Sequence, residues 1–183
     1  MRATCSVFIA TSLDGFIARP DGNIDWLMQA NARVPAGEDC GYAAFMETVD
    51  AVVMGRNTFE QVATFDPWPF QERRVEVMTS RPMALPPVVG HRVFACSQSP
   101  ADLVDRLSTE GVRRLYVDGG RTIQGFLAAG LVDDITITVI PVLLGSGRSL
   151  FGPLRQDIHL TLASSRAYAF GFVQNTYAVH RER

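Results

Sequence analysis

The stretch Val53-Met54-Gly55-Arg56-Asn57-Thr58-Phe59-Glu60 decides the fold of this 183-residue chain. A short run of apolar residues ends at a glycine, and a helical pattern begins immediately after it. Tyr116-Val117-Asp118-Gly119-Gly120-Arg121-Thr122-Ile123 repeats this arrangement with two glycines. Both stretches predict a buried strand that turns through glycine into a helix. Open α/β sheets bind their ligands beside such turns, beyond the carboxyl ends of the strands.

Further apolar runs have the same character, and helical patterns separate several of them. The C-terminal strand patterns follow one another without helices, which predicts antiparallel pairing there. The predicted fold class is therefore α/β, as one domain over residues 1–183. Its mixed, mainly parallel central sheet is flanked by helices on both faces and finished by a C-terminal antiparallel hairpin. The predicted strands are Cys5–Ala10, Ala51–Met54, Val75–Met78, Val93–Cys96, Leu115–Val117, Ile135–Ile140, Ile158–Ala163 and Phe172–Val179.

Capping residues and apolar faces predict four helices. Ser99-Pro100-Ala101-Asp102 supplies an N-cap serine, a proline at the first helical position and an acidic first turn. Gly111 ends this helix, and Gly130 ends another over Thr122–Ala129. Weaker patterns cover the remaining two helices, Glu38–Thr48 and Arg56–Ala63. Two irregular stretches, residues 11–37 and 64–74, exceed ordinary connections, and loops of that length are usually functional or mobile.

The composition excludes several chemistries. The 17 basic residues are all arginines, so a Schiff-base lysine, a P-loop lysine and a Ser-Lys dyad are impossible. Any anion site must use arginine, backbone N–H groups and hydroxyls. The net charge of −2 provides no bulk field for nucleic acid or an anionic membrane, so we expect neither as a partner.

The cysteines and histidines are few and widely separated along the chain. No Cys-x-x-Cys pair occurs, so we expect neither a metal site nor a disulfide framework. This cysteine usage fits a reducing cytoplasm, and the sequence shows neither a signal peptide nor an apolar run long enough to span a membrane. The residues concerned are Cys5, Cys40, Cys96, His91, His159 and His180.

Three arginine-bearing strand ends predict a polyanion site. Arg56 and Arg121 each follow a glycine at the start of a predicted helix, where free N–H groups attract anions. Arg81 ends Met78-Thr79-Ser80-Arg81-Pro82, which adds two hydroxyls. Each turn alone is equally compatible with a structural turn carrying an exposed arginine. The three together favour a phosphate-binding cleft.

Six segments, in chain order, form a larger pattern: Ser12-Leu13-Asp14-Gly15-Phe16-Ile17-Ala18, Gly22-Asn23-Ile24-Asp25-Trp26-Leu27, Val53-Met54-Gly55-Arg56-Asn57-Thr58, Asp118-Gly119-Gly120, Gly130-Leu131-Val132-Asp133-Asp134 and Ile140-Pro141-Val142-Leu143-Leu144-Gly145-Ser146-Gly147. The first four resemble the dihydrofolate reductase superfamily. The last two make the chain look most like the RibD C-terminal reductase branch. The pattern spans nearly the whole chain.

The resemblance implies NADPH as the cofactor. Arg56 and Thr58 match residues that hold its adenosine-side phosphates, while Ser80 and Arg81 match residues that receive the 2′-phosphate. The Gly119-Gly120 pair matches the position beside the pyrophosphate, where the family often has a cis peptide bond. The cofactor-binding residues expected from the resemblance and the turns are Ala10, Ile17, Gly55, Arg56, Asn57, Thr58, Thr79, Ser80, Arg81, Val117, Gly119, Gly120, Arg121, Thr122 and Ile123, of which Ala10 and Ile17 match positions that line the nicotinamide.

The implied activity is hydride transfer from NADPH to a small planar or carbonyl-containing molecule. The first-helix carboxylate of the folate enzymes has no match here, and the deaminase signatures of the riboflavin-pathway proteins are absent. The resemblance therefore implies a stand-alone reductase, and the branch it resembles commonly forms homodimers.

Substrate and proton-donor residues are expected in the long loop and the first predicted helix. Trp26, Tyr42 and Phe45 are the predicted substrate walls. Asp25, beside Trp26 in the loop, is the predicted proton donor, although a capping or solvated loop carboxylate explains it equally well. Asp118 reads as a cap of the helix that follows it.

Two other function classes stay open on the sequence. The missing folate carboxylate is compatible with an NADPH-binding protein that lacks efficient catalysis, such as a sensor or a degenerate paralogue. An unrelated nucleotide-phosphate-binding domain would bind ADP-ribose without using a nicotinamide. Screening NADPH oxidation against pterins, pyrimidines, quinones and carbonyl compounds separates catalysis from binding alone.

Overall fold

A computed structural model of the protein describes residues 1–83 and 92–180, so His91 lies outside the described part. Ten strands form two sheets. The strands are β1 (Thr4–Ser12), β2 (Phe16–Ala18), β3 (Ala51–Gly55), β4 (Arg74–Met78), β5 (Val93–Cys96), β6 (Arg114–Asp118), β7 (Asp134–Ile140), β8 (Arg148–Ser149), β9 (Leu160–Ala167) and β10 (Val173–Val179). Eight of them build one sheet in the order β5-β4-β3-β6-β1-β7-β10-β9, and β2 pairs with β8 separately.

The main sheet is mixed, as the sequence predicts. The six strands from β5 to β7 in the sheet order run parallel. The strand β10 pairs antiparallel with both β7 and β9, which confirms the C-terminal hairpin. The parallel strands consist of nearly continuous apolar runs because both faces of the sheet are covered.

Helices cover both faces, and alternate strand residues show this directly. Val53 packs in an apolar cluster with Leu107 and Phe126, which lie on the two later helices. Its neighbour Val52 packs on the opposite face with Phe59 and Met46. Successive strand side chains point to opposite faces, so one strand contributes to two cores. The helices are α1 (Asp25–Asn31), α2 (Tyr42–Glu47), α3 (Arg56–Val62), α4 (Pro100–Thr109) and α5 (Gly120–Ala128).

Several local predictions were wrong. The helix expected over Glu38–Thr48 begins only at Tyr42, because Cys40 and Gly41 have φ angles of 55° and 81°, which a right-handed helix does not allow. The stretch 11–37, predicted as irregular, contains β2 and α1, so Asp25 opens a helix instead of lying in a loop.

The peptide bond between the paired glycines also differs from the expectation. Asp66–Pro67 is the cis peptide bond of the described residues, so the Gly119–Gly120 bond is trans. Gly119 makes the turn with a φ of 86° instead. A glycine adopts this positive φ without the steric cost that a Cβ would impose.

The C-terminal edge of the main sheet is open to solvent. Every residue of β9 is exposed, including Leu160 and Leu162. The predicted homodimer stays a prediction.

Within residues 1–83 and 92–180, no helix combines the length and apolarity that a membrane crossing requires.

Candidate active site

A cavity of about 1550 Å³ lies at the carboxyl ends of the parallel strands. Residues at or just beyond the ends of β1, β3, β4, β6 and β7 line it, and α1, α2 and the β2–β8 pair contribute further walls. Ligands of open α/β sheets bind at this edge. The residues that line it include Phe8, Ala10, Ile17, Leu27, Val34, Glu38, Asp39, Tyr42, Gly55, Arg56, Asn57, Thr58, Arg81, Asp118, Gly120, Arg121, Thr122, Ile140, Arg148 and Phe172.

The two glycine turns quoted from the sequence interlock at this edge. Strands β3 and β6 are parallel neighbours, with Met54 opposite Asp118, so their turns lie side by side. A Cβ at Gly119 would overlap the hydroxyl of Thr58, and one at Gly55 would lie 3.2 Å from Oγ1 of Thr122. Each turn therefore receives a threonine hydroxyl from the other. A Cβ at Gly119 leaves no room for it, and a Cβ at Gly55 would be tightly packed against it.

The helices that follow these turns begin without a side-chain cap. The N-cap residues of α3 and α5 are Gly55 and Gly119, and neither helix start has a side-chain cap hydrogen bond. At Gly120 a Cβ would come within 2.8 Å of Cδ1 of Ile17, so β2 closely covers the start of α5. Uncapped N–H groups at a helix start are the usual partners of phosphate.

Four arginines line the cavity, and they differ in how they are held. Nε of Arg56 lies 2.6 Å from Oε1 of Glu60, one helical turn later. Nε of Arg148 donates to the carbonyl of Pro20 at 3.3 Å, and its guanidinium packs against Gly22. Within the described residues, the guanidinium groups of Arg81 and Arg121 form no ion pair. Two guanidinium groups are thus available to an anion.

The structure brings ten of the predicted cofactor residues to the cavity wall: Ala10, Ile17, Gly55, Arg56, Asn57, Thr58, Arg81, Gly120, Arg121 and Thr122. Five others lie elsewhere. Val117 and Ile123 are fully buried in the core, and Gly119 lies behind Thr58. The hydroxyl of Thr79 accepts from the backbone N–H of Arg81 at 3.2 Å, and Ser80 is exposed outside the wall.

The predicted substrate residues separate into two groups. Tyr42 lines the cavity, whereas Phe45 lies behind it, stacked on Phe8 with ring centroids 4.9 Å apart. Trp26 is buried in an apolar cluster with Ile140, and its indole Nε1 has no hydrogen-bond partner in the described structure. Tyr42 is therefore the one predicted substrate residue that a ligand in this cavity would touch.

Asp25, the predicted proton donor, is held by an arginine. Its two carboxylate oxygens accept from Nε and Nη2 of Arg19 at 2.6 and 3.1 Å. These hydrogen bonds hold the pKa of Asp25 below its usual range. The carboxylate is not among the groups that line the cavity. Its role as proton donor stays a prediction.

Asp118 is the functional candidate that sequence reasoning interpreted as a cap. It ends β6, lines the cavity, and accepts from the backbone N–H of Gly119 at 2.8 Å. Burial raises its pKa to about 6. Burial and the charge of Asp118 raise the pKa of Tyr42 to about 12, so the phenol stays protonated. The available sequence signal was an acidic residue directly before the glycine pair.

Comparisons with known proteins identify the family. The model of the RibD C-terminal domain family matches residues 3–173. The uncharacterised protein YwjB of Bacillus subtilis is 35% identical over 165 residues, covering 88% of this chain and 90% of its own length. The dihydrofolate reductase HdrB of Haloferax volcanii is 32% identical over 129 residues, covering 69% of this chain and 62% of HdrB.

Solved structures agree with this family assignment. A putative riboflavin biosynthesis protein from Shewanella sp. PV-4 superposes with a TM-score of 0.90 at 39% identity, covering 97% of this chain and 99% of that one. A deaminase/reductase from Thermotoga maritima shares only the fold, with a TM-score of 0.73 at 15% identity over 98% of this chain and 57% of that one. The predicted dihydrofolate reductase-like fold is confirmed. The chain belongs to the RibD C-terminal domain family, a reductase-type family.

Proposed function

We propose that the chain is an NADPH-dependent reductase that transfers a hydride to a small planar or carbonyl-containing molecule. The observation that carries this proposal is the pair of interlocked glycine turns, with their uncapped helix starts, among four arginines. NADPH carries a pyrophosphate and a 2′-phosphate, and this donor set suits both. The residues present therefore fit the cofactor.

The chain's own residues would bind and orient the cofactor. Arg56, Arg81 and Arg121, together with the free N–H groups of α3 and α5, would hold the phosphates. Ala10 and Ile17 would supply the apolar wall for the nicotinamide and exclude water from it. NADPH supplies the hydride when bound.

Asp118 is the side chain best placed to hold a proton for the substrate. It lies at the cavity wall, and with a pKa of about 6 a fraction of the carboxyl stays protonated near neutral pH. A general acid works best when its pKa lies near the working pH. We assign proton delivery to Asp118 in preference to Asp25, whose pKa is held low by Arg19.

The relatives support the reaction class. HdrB is a dihydrofolate reductase, and the Thermotoga maritima protein includes a 5-amino-6-(5-phosphoribosylamino)uracil reductase. The substrates of both reductions contain a planar nitrogen heterocycle. The same class of acceptor fits a cavity walled by Phe8, Tyr42 and Phe172.

The test has two stages. Titration of the protein with NADPH, followed by nicotinamide fluorescence, should show saturable binding that is tighter than for NADH. NADPH oxidation is then screened against pterins, pyrimidines, quinones and carbonyl compounds, and at least one should be reduced. Absence of NADPH binding contradicts the proposal. Binding without turnover of any acceptor would support a cofactor-binding protein instead.

A further inference from the structure

The cavity has two chemically different ends. We call the wall formed by Phe8, Leu27, Val34, Tyr42, Ile140 and Phe172 the substrate end. We call the wall formed by Gly55–Thr58, Arg81, Gly120–Thr122 and Arg148 the arginine end. The first is mainly apolar and aromatic, whereas the second carries every arginine that lines the cavity among the described residues.

Distance keeps Arg81 away from the β7 side of the substrate end. Arg81 follows β4, whereas Ile140 ends β7, four positions along in the order β4-β3-β6-β1-β7. At a strand spacing of about 4.8 Å, this separation is roughly 19 Å. The Debye length at physiological ionic strength is only about 8 Å, so Arg81 does little to attract an anion to that side. Arg121 follows β6, two positions from β7, and is the closer of the two free arginines.

Carboxylates of the cavity wall adjoin the substrate end. Glu38 and Asp39 immediately precede α2, which carries Tyr42, and the charge of Asp118 acts on that same tyrosine. These are the acidic residues among the described groups that line the cavity. The substrate end is thus a negatively charged, apolar chamber.

The backbone N–H groups that could bind an anion near this end are already occupied. Asp39 accepts from Gly41 and Ala43 at 2.8 and 2.7 Å, which fills the start of α2. Asp14 accepts from Gly145 at 2.7 Å and also from Leu144, in the turn after β7. The chain's own carboxylates therefore hold the positions that a phosphate would need, in contrast to the uncapped starts of α3 and α5.

The cations around these acidic groups already have partners. Nη2 of Arg166 lies 3.3 Å from Oε2 of Glu38, and Arg19 binds Asp25. Arg73, whose charge acts on Tyr42, donates from Nη2 to the carbonyl of Met46 at 2.9 Å. None of the three lines the cavity. They offset part of the negative charge but offer no site for a substrate phosphate.

We propose that the substrate end accepts a planar heterocycle that is uncharged or cationic and carries no phosphate. This inference rests on the proposed function, because it assigns the arginine end to the cofactor. It predicts selectivity against phosphoribosyl substrates of the kind that the Thermotoga maritima enzyme reduces. An anionic group near Glu38, Asp39 and Asp118 would meet like charges, which disfavours the complex.

The experiment compares matched ligands on protein whose arginine end is filled with NADP⁺, so that no turnover occurs. The probes are 5-amino-6-(ribosylamino)uracil, its 5′-phosphate, and 2,4-diaminopyrimidine, and binding is measured by calorimetry. We expect the unphosphorylated compounds to bind at least about tenfold more tightly than the phosphate ester. This preference should shrink as ionic strength rises.

A double variant, Glu38→Gln with Asp39→Asn, tests the cause of the selectivity. The carbonyl oxygen of asparagine keeps one of the two backbone hydrogen bonds that Asp39 accepts at the start of α2. The affinity for the phosphate ester should rise several-fold, while that for 5-amino-6-(ribosylamino)uracil stays unchanged. Asp105→Asn with Asp157→Asn removes the same charge from exposed residues outside the cavity wall and should change neither affinity.

The outcomes separate this inference from the proposed function. If NADPH itself does not bind, the proposed function fails and the inference fails with it. If NADPH binds but the phosphate ester binds as tightly as its riboside, only the inference is overturned. Failure of both unphosphorylated probes to bind at millimolar concentration also overturns it.

Discussion

Two strand-to-helix corners that follow one another along the chain are built in opposite ways, a closed corner between β5 and α4 and an open corner between β6 and α5. At the β5–α4 corner, Ser99 accepts from the backbone N–H of Asp102, so the helix start is closed by its own side chain. At the β6–α5 corner, Gly119 provides no side-chain cap, and the helix start faces the cavity. The difference shows which helix start the chain keeps for itself and which it leaves for a ligand.

The arginines of these two regions differ in the same way. Arg74 and Arg106 both pair with Glu76, which is buried at 0% exposure in the sheet, where an unpaired carboxylate would be costly. Arg81 and Arg121 have no such partner among the described residues. An arginine that neutralises a buried carboxylate stabilises the fold, whereas an unpaired arginine beside a glycine turn is available to a ligand. Variants in the two regions should therefore affect different measurements.

The largest expected effect is on turnover, from Asp118→Asn at the open corner. Loss of a general acid costs on the order of 100-fold or more in kcat. The wild-type kcat should fall as pH rises through about 6, because Asp118 then loses its proton. The Asp118→Asn variant should not show this fall in kcat with pH, while its NADPH affinity stays close to that of the wild type.

Asp25→Asn is the matched comparison for that variant. Since Arg19 holds the Asp25 carboxylate ionised, we expect a much smaller loss of kcat. A large loss with Asp25→Asn, combined with wild-type kcat in Asp118→Asn, would restore Asp25 as the proton donor. Steady-state kinetics across pH decide between the two.

Asp118 should also influence stability with pH. The pKa of its carboxyl is raised from 3.8 in the unfolded chain to about 6 in the folded protein. The folded state therefore binds the proton more tightly, and the free energy of unfolding decreases as pH rises between these values. Asp118→Asn should flatten this part of the stability profile measured by urea denaturation.

The next effect belongs to the closed corner and concerns stability. Arg106→Ala removes one of the two cations that neutralise Glu76, and we expect a loss of about 2–3 kcal/mol in the free energy of unfolding. Retention of Arg74 keeps the loss below that of a fully unpaired charge. NADPH affinity should not change. Arg113→Ala, at an exposed arginine, is the control that should leave stability nearly unaltered.

A smaller effect, on cofactor choice, is expected at the arginine end of the cavity. Arg56→Ala with Arg81→Ala should weaken NADPH binding about tenfold or more while changing NADH binding little, because charge-assisted contacts to the 2′-phosphate are lost. Stability should change little. An equal loss for both cofactors would contradict the 2′-phosphate assignment, and Arg113→Ala with Arg155→Ala controls for the change in net charge.

The smallest effect tests the cap of α4. Ser99→Ala should lower the free energy of unfolding by about 1 kcal/mol, and Ser99→Gly by only a few tenths. Neither should alter NADPH affinity. A change in cofactor binding with Ser99→Ala would show that the two corners are not independent.

Much of the fold follows from local sequence patterns. The apolar runs, the Ser99 cap and the glycine turns predict the parallel strands, α4, α5 and the C-terminal hairpin, because strand periodicity and capping depend on neighbouring residues alone. The short elements β2, α1 and β8 were missed, since their stability depends on packing against distant parts of the chain.

The sequence by itself determined the sheet, the two glycine turns and the arginine-only supply of positive charge, because each is set by residue type and local spacing. Only the tertiary structure decided which arginines are free and which carboxylates face the cavity. Arg106 and Glu76 are 30 positions apart, and Asp14 and Gly145 are 131 apart. Whether such groups neutralise one another depends on chain folding, which brings them within hydrogen-bond distance and removes water from around them.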